Sequence, residues 1–351
     1  MKIIRTAKSQ LKKVDFNNLG FGEIFSDHMH SMEYKEGKWG NEQIMPYGPI
    51  EVYPGICSLH YAQIIFEGLK AFYGKNGAIY LFRPQKYHER MNQSCERLCI
   101  PQVGLDVFLN GLKALIALDK EWVPRKRGYS LYIRPFIFAT DNFLGVKVSD
   151  TYRYLAITGP VGAYYKEGIN PVRLTTSGEY IRASKGGLGA AKTPANYAAT
   201  LLPGEEAKKK GFTQVLWLDG IERKYVEEVG TMNLFFLIGD ELITPPLEGT
   251  ILPGVTRDSV IHLARDWGIK ASERRLSIDE VFASSKNKTL KEVFGSGTAA
   301  VISPVGEIHH GREKIIINDN KIGPLSQKLY DEITGIQYGE RPDKFGWRYA
   351  V

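Results

Sequence analysis

Apolar positions change period several times along the chain, and each change marks an element. "GAIYLFRP" reads as a strand, and "YSLYIRPFIFAT" and "TYRYLAITGPVG" are equally β-rich. Between them, "QKYHERMNQSCERL" (85–98) and "DVFLNGLKALIALDKEW" (106–122) carry apolar residues at helical spacing. A polar, glycine-bearing stretch follows "GPVGAYYKEGINP" (159–171) and reads as a connection between domains. Beyond it come strands in "FTQVLWLDG", "TMNLFFLIG" and "ELITPP", and then a helix in "TRDSVIHLARDWG", with Thr256 as its N-cap and glycine at its end. "SIDEVFASSK" predicts a shorter helix, "EVFGSGTAAVISPV" a strand broken by a glycine turn, and "PLSQKLYDEITGIQYG" the last helix. Runs of strands with few alternating helices predict an α+β fold rather than a doubly wound sheet.

Length and composition narrow the class. At 351 residues the chain exceeds one ordinary core, and the division expected is a domain over 1–163, a connection over 164–178 and a second domain over 179–351. With 43% apolar and 24% charged residues it is globular in composition, and no fixed-period repeat or low-complexity tract occurs. The net charge of +7 raises a nucleic-acid reading, but the basic residues are scattered and the runs "RKR" (125–127) and "KKK" (208–210) are short. A modest positive excess equally suits a site that captures phosphate and carboxylate groups.

Cys57, Cys95 and Cys99 have no metal-ligand spacing and read as buried thiols without disulfides. "DHMH" (27–30) places two histidines on one side of a strand, a poor metal site and an ordinary packing motif. No run of about 18 apolar residues is present, and "MKIIRTAKSQLKK" lacks the apolar stretch of a secretory signal. The expected setting is a reducing compartment, the cytoplasm, with neither membrane nor nucleic acid as partner.

The densest chemical signal is "KGGLGAAKTPANYAAT" (185–200), which surrounds Lys192 with glycine and alanine. Three readings of that lysine compete. As a phosphate loop, "GGLGAAKT" has Ala191 where the glycine before the lysine belongs, and "GEYIRAS" before it does not end as a buried parallel strand. As a solvated loop lysine it needs no partner. As a nucleophile bonded to an aldehyde cofactor it needs an amine able to lose its proton, which small, poorly hydrating neighbours favour. Pyridoxal phosphate would further require a carboxylate at its ring nitrogen and a helix start plus an arginine for its phosphate. "VEEVGTMN" offers the carboxylates, and "LPGVTRDS" and "FGSGTAA" offer phosphate seats. Arginines are too plentiful for this reasoning to choose one.

"LHYAQIIFEGLKAF", "YHERM", "LYIRP", "GPVGAYY", "KTPANY", "EVGTMNLFF", "ILPGVTR" and "FGSGTAA" occur in an order that resembles branched-chain amino-acid aminotransferases of pyridoxal-phosphate fold type IV, over about 21–338. The resemblance implies an α+β fold of two domains, a smaller N-terminal one and a larger one with a β-barrel-like core, holding pyridoxal 5'-phosphate between them. It implies Lys192 as the Schiff-base lysine, Tyr197 at the ring phenolate oxygen and Glu228, rather than Glu227, at the ring nitrogen, with Thr231 of the same motif at the cofactor. Arg90 (not Arg83), Val255, Thr256 and Thr298 are implied as phosphate donors, and the amides near Thr298 and Ala299 as the seat of the substrate carboxylate. The side-chain pocket implied is walled by Tyr61, Phe66, Tyr132 and Tyr164, with Arg134 and Tyr61 gripping the γ-carboxylate of glutamate or 2-oxoglutarate. Leu144 and Val146 of "DNFLGV" match a loop inserted by the partner subunit, so a homodimer is implied. D-amino-acid aminotransferase and aminodeoxychorismate lyase share this fold type, and "FEGLKAF" and "EVGTMN" argue against both. Two departures stand out: Ala300 and Ser303 replace the Cys-x-x-Cys pair of eukaryotic relatives, which removes any thiol switch there. Pro203 and Gly204 predict a kink or break in the helix after Lys192.

Overall fold

Leu131, Ile133 and Ile137 are fully buried, whereas Tyr132, Arg134 and Phe136 between them stay partly exposed, the alternation expected of a strand packed on one face. The structure is a computed structural model that describes residues 1–162 and 169–351. Two units are formed, the first from Met1–Tyr164, Ala191–Pro194 and Gly335–Val351, the second from Tyr165–Ala190 and Ala195–Thr334. The chain is thus not cut once near residue 163. The short segment bearing Lys192 and the C-terminal segment both belong to the first unit, the latter because the strand Arg348–Ala350 pairs with Ile79–Phe82.

In the first unit, strands β1 (Lys2–Ile3), β2 (His28–Lys35), β3 (Lys38–Pro46), β4 (Ile64–Phe66), β5 (Leu69–Tyr73), β6 (Ile79–Phe82), β7 (Ser130–Ala139) and β8 (Tyr152–Val161) make one sheet in the order β1-β3-β2-β8-β7-β5-β6, followed by Arg348–Ala350. β4 also pairs with β7, setting Phe66 opposite Phe136, while β5 sets Lys70 opposite Tyr132. Residues opposite one another share a face, so Phe66, Tyr132 and Arg134 lie on the face of β7 turned away from the Leu131 and Ile133 core. Helices α1 (Cys57–Tyr61), α2 (Pro84–Arg97) and α3 (Leu105–Leu118) complete this unit. α2 begins on Pro84, where a missing N–H costs nothing. α3 buries Phe108, Leu112, Leu115 and Ile116, and it tolerates Gly111 because a Cβ there would stand 2.1 Å from the His30 ring.

The second unit holds β9 (Val172–Thr176), β10 (Gln214–Leu218), β11 (Val226–Val229), β12 (Met232–Ile238), β13 (Glu241–Thr244), β14 (Lys270–Glu273), β15 (Leu290–Gly297), β16 (Val301–His310) and β17 (Glu313–Ile316). Strands β9, β10, β11, β12, β15 and β16 pair in a ring that closes on itself, a barrel whose core includes Leu174, Leu216, Leu234, Phe236 and Ile308. β9 lies within the stretch read as a connection. Val172 and Leu174 are buried and Arg173 is exposed, an alternation too short to separate from loop by sequence.

Helices α4 (Pro194–Ala198), α5 (Leu201–Lys209), α6 (Val255–Asp266), α7 (Ile278–Lys286) and α8 (Pro324–Gln337) follow. Three local expectations are corrected. α6 is entered from Gly254, so Thr256 is its second residue and not its cap. Pro203 does not break α5: it sits in the first turn, where its missing N–H has no helical partner to lose, and the interruption falls earlier, between α4 and α5. Cys99 is exposed, whereas Cys57 and Cys95 are buried, and all three are unpaired with one another. Ser277 caps α7, accepting from the Glu280 N–H at 3.1 Å.

Candidate functional site

In the first unit Lys192 lies between β4 and α2. Its C=O accepts from the Phe66 N–H at 3.0 Å, its N–H donates to Ser94 Oγ at 2.9 Å, and its Nζ stands 4.9 Å from the centre of the Phe66 ring. Arg90 is fixed by Glu67 through two parallel bonds, Nε to Oε1 and Nη2 to Oε2, each 2.8 Å. Glu67 is fully buried and Arg90 nearly so, which a charged pair tolerates only when it is matched in this way. Arg83, set aside on sequence, stacks on Trp347 instead. Sequence reasoning did not single out Glu67, although an acid inside the apolar run "IIFEGLKAF" was the available signal.

Arg134 has a different setting. Its guanidinium stands 4.8 Å from the Phe66 ring centre, Nη2 donates to Tyr132 Oη at 3.0 Å, and its buried Nε has no partner. No described acid forms an ion pair with it. Gly68 is what admits Tyr132, because a Cβ there would lie 2.0 Å from Tyr132 Oη. Phe66, Tyr132, Arg134 and Lys192 are therefore brought together. Tyr61, at the end of α1, is exposed and donates from Oη to the Leu144 carbonyl. Leu144 and Val146 are exposed, Val146 at 83%, on a loop organised by Asp141. That carboxylate accepts from the N–H groups of Asp150 and Thr151, from Thr151 Oγ1, and from Lys147. Burial would raise its pKa, but these bonds outweigh it and hold the group well below the usual carboxylate range. Tyr164 lies outside the described residues.

In the second unit Glu228 is 3% exposed on β11. Arg182 Nε stands 2.5 Å from Glu228 Oε2, and Asn233 Nδ2 donates to Oε1 at 2.8 Å. Asn233 also donates to the Leu252 carbonyl at 2.9 Å and packs so closely on Gly254 that a Cβ there would meet it at 1.9 Å. One amide thereby ties the buried carboxylate to the entry of α6, where Val255 and Thr256 form the first turn with no side-chain cap. An uncapped helix start of this kind is an anion seat. On the next strand Ser296 faces Asn233, so Thr298 and Ala299, in the turn after β15, lie two and three residues beyond that register. Val301, at the end of the turn, has φ +64, a conformation costing a β-branched residue about 1–3 kcal/mol and maintained only by its surroundings.

Glu227 points the other way, as strand alternation requires. Thr250 donates to its Oε1 at 2.5 Å, and burial raises its pKa. It lines a cleft with Asp219, Tyr225, Thr250 and Arg275, and Thr250, whose carbonyl accepts from Arg182 at 2.8 Å, links it to the Arg182 that pairs with Glu228. Tyr197 is half-buried in α4, and Thr231 is exposed at the β11–β12 turn. Sequence reasoning missed Arg182, whose charge inside "YIRAS" was its only mark. The histidines have structural partners: His28 Nδ1 lies 2.7 Å from Asp119, and His30 Nε2 lies 3.2 Å from Glu42. No cluster fit to hold a metal ion occurs among the described residues.

Comparison with known proteins adds an independent line. Residues 64–308 match the family model for amino-transferase class IV. Branched-chain-amino-acid aminotransferase 2 of Bacillus subtilis (strain 168) is 52% identical over 349 residues, covering 99% of this chain and 96% of the relative. Among solved structures, the branched-chain amino acid aminotransferase of Escherichia coli superposes with a TM-score of 0.76 at 28% identity, covering 92% of this chain and 98% of that one. The branched-chain amino acid aminotransferase of Thermobaculum terrenum, solved in its PLP-form, shares the fold with a TM-score of 0.76 at 24% identity, covering 93% and 99%.

Proposed function

Since this chain belongs to the class IV aminotransferases, and within them to the branched-chain-amino-acid aminotransferases, we propose that it exchanges the amino groups of leucine, isoleucine and valine with 2-oxoglutarate, using pyridoxal 5'-phosphate held at Lys192. When bound, the cofactor supplies an aldehyde carbon for the amino group and a conjugated ring as electron sink. The residues fit it. A buried carboxylate, Glu228, suits a protonated ring nitrogen; the glycine-entered start of α6 and the Thr298 turn suit a phosphate; Arg90 is a fixed cation. Lys192 would hold the aldehyde end through Nζ, and the same amine would move a proton at the substrate Cα. Glu228, oriented by Arg182 and Asn233, would keep the ring cationic, and Tyr197 would bond the ring oxygen.

The observation that carries the choice of substrates is Arg134. A partly buried cation stacked on aromatic rings, with a buried Nε lacking a partner, suits a substrate carboxylate. The same aromatic faces of Phe66 and Tyr132 take a branched aliphatic chain, so one pocket serves both substrates in turn. The exposed apolar side chains of Phe143, Leu144 and Val146 favour burial against a second copy, which supports a homodimer as the working unit. No helix among the described residues is long and apolar enough to cross a membrane, and three unpaired cysteines fit a reducing compartment such as the cytoplasm.

The test is direct. Protein purified with pyridoxal phosphate is reduced with borohydride, digested and weighed, and a phosphopyridoxyl mass on the Lys192 peptide is expected. Its absence there, or a substrate panel in which leucine, isoleucine and valine fail to donate to 2-oxoglutarate, refutes the reading.

A further inference from the structure

Pyridoxal phosphate is a rigid ligand: its aldehyde and its phosphate are separated by a flat ring, so a protein that grips both ends must hold its two gripping groups at one spacing. Lysine has a long flexible side chain, and spacing of that kind has to be set at the main chain. In the first unit a ring of hydrogen bonds does this. Ser94, fully buried in α2, accepts the Lys192 N–H at 2.9 Å and donates to the Arg90 carbonyl, one helical turn back, at 3.0 Å. A single hydroxyl thus joins the main chain of Lys192 to the turn that bears Arg90. On the other side the Phe66 N–H holds the Lys192 carbonyl at 3.0 Å, and the next residue, Glu67, holds the Arg90 guanidinium by both oxygens at 2.8 Å. The Glu67 N–H is in turn anchored on the Pro135 carbonyl at 2.7 Å. The path Lys192, Ser94, Arg90, Glu67, Phe66 returns to Lys192 with no gap.

We infer that Ser94, with Glu67, acts as a gauge that sets the distance between the Lys192 amine and the Arg90 guanidinium, so that the aldehyde and the phosphate of one cofactor engage together. Ser94 is a positioning residue, since it touches Lys192 through the main chain only. The inference rests on the proposed placing of pyridoxal phosphate at Lys192 and Arg90. Its signature is selectivity: two-point binding rewards the correct spacing, whereas a ligand gripped at one end is indifferent to it.

Cofactor-stripped wild type, Ser94→Ala and Ser94→Cys proteins are titrated with pyridoxal phosphate and, separately, with pyridoxal, which has the aldehyde but no phosphate. Binding is read from visible absorbance, and borohydride capture locates the bond by mass. In Ser94→Ala the affinity for pyridoxal phosphate is expected to fall about tenfold, the usual effect of losing one hydrogen bond to a partly buried amide. The affinity for pyridoxal should stay within about twofold, so the preference for the phosphorylated ligand shrinks. Ser94→Cys, of similar volume and weaker as a hydrogen-bond partner, should fall between, and it gives the same readout if the alanine variant does not fold. Equal losses for both ligands would show a merely structural hydroxyl and overturn the inference, as would no loss for either. Wild type in which neither ligand is captured at Lys192 would overturn the underlying placement as well, a result plainly different from a changed preference.

Discussion

Arg134→Met tests the substrate reading most sharply. Methionine keeps the length and the apolar stem that packs on Phe66 and Tyr132, and it removes only the charge and its donors. Two charge-assisted hydrogen bonds to a substrate carboxylate contribute about 1.5–3 kcal/mol each. Because the side chain is only partly buried, the lower end applies, and the loss expected is about 3 kcal/mol, or about two orders of magnitude in kcat/KM for glutamate. Leucine brings no second carboxylate, so its half-reaction should change by less than about threefold. Stability should move the other way: since Arg134 has no ion pair among the described residues and a buried Nε without a partner, removing it should leave the melting temperature unchanged or higher. Each half-reaction is followed separately by rapid-mixing absorbance, and thermal unfolding by circular dichroism. Equal losses with glutamate and leucine, or a melting temperature lowered by about 5 °C or more, would refute the reasoning, because either would mark Arg134 as structural support.

Glu228→Gln should leave borohydride capture at Lys192 intact while slowing transamination severely, and it should also destabilise the protein, by up to about 3 kcal/mol, because the buried Arg182 loses its ion-pair partner and keeps only the Gly189 and Thr250 carbonyls and the charge of Glu227. Adding Arg182→Gln should recover stability in urea titrations without recovering turnover, so recovery of both would sink the assignment. Gly68→Ala should reproduce part of the Arg134→Met loss for glutamate, since the new Cβ displaces the Tyr132 hydroxyl that Arg134 donates to; unchanged glutamate kinetics would contradict it. Asp141 has a folded pKa below its unfolded one, so its support of the 141–151 loop is present above about pH 4 and is lost as the pH falls from there through the lowered folded value. Limited proteolysis should accordingly cut this loop slowly at neutral pH, and faster in Asp141→Asn at the same pH. Equal rates would show that the charge does not organise the loop.

Much of this protein is written in short-range pattern. The alternation in 131–137 and the apolar stripe of 105–118 each follow from sterics and burial within a few neighbouring residues, and the structure has them where the pattern puts them, whereas Gly295 and Gly297 stay within β15 and the turn falls after them, at Thr298. The pattern failed where two local choices were nearly equal. Gly254 or Thr256 can each enter α6, and the loop leading from Leu252, pinned by Asn233, decides between them. What only tertiary structure decided is pairing across distance. Arg90 meets Glu67 from 23 residues away, and Ser94 meets Lys192 from 98, because the sheet sets β4 beside α2 and a four-residue excursion of the chain returns Lys192 to that unit. Glu228 meets Asn233 because the barrel closes through β11 and β12, and it meets Arg182 from 46 residues away, where the Gly189 and Thr250 carbonyls hold that guanidinium. The sequence by itself determined which residues bear charge and which strands and helices carry them. Which charge faces which was settled by sheet order and ring closure, since a buried ion is stable only beside its counter-ion and no local period records that partner.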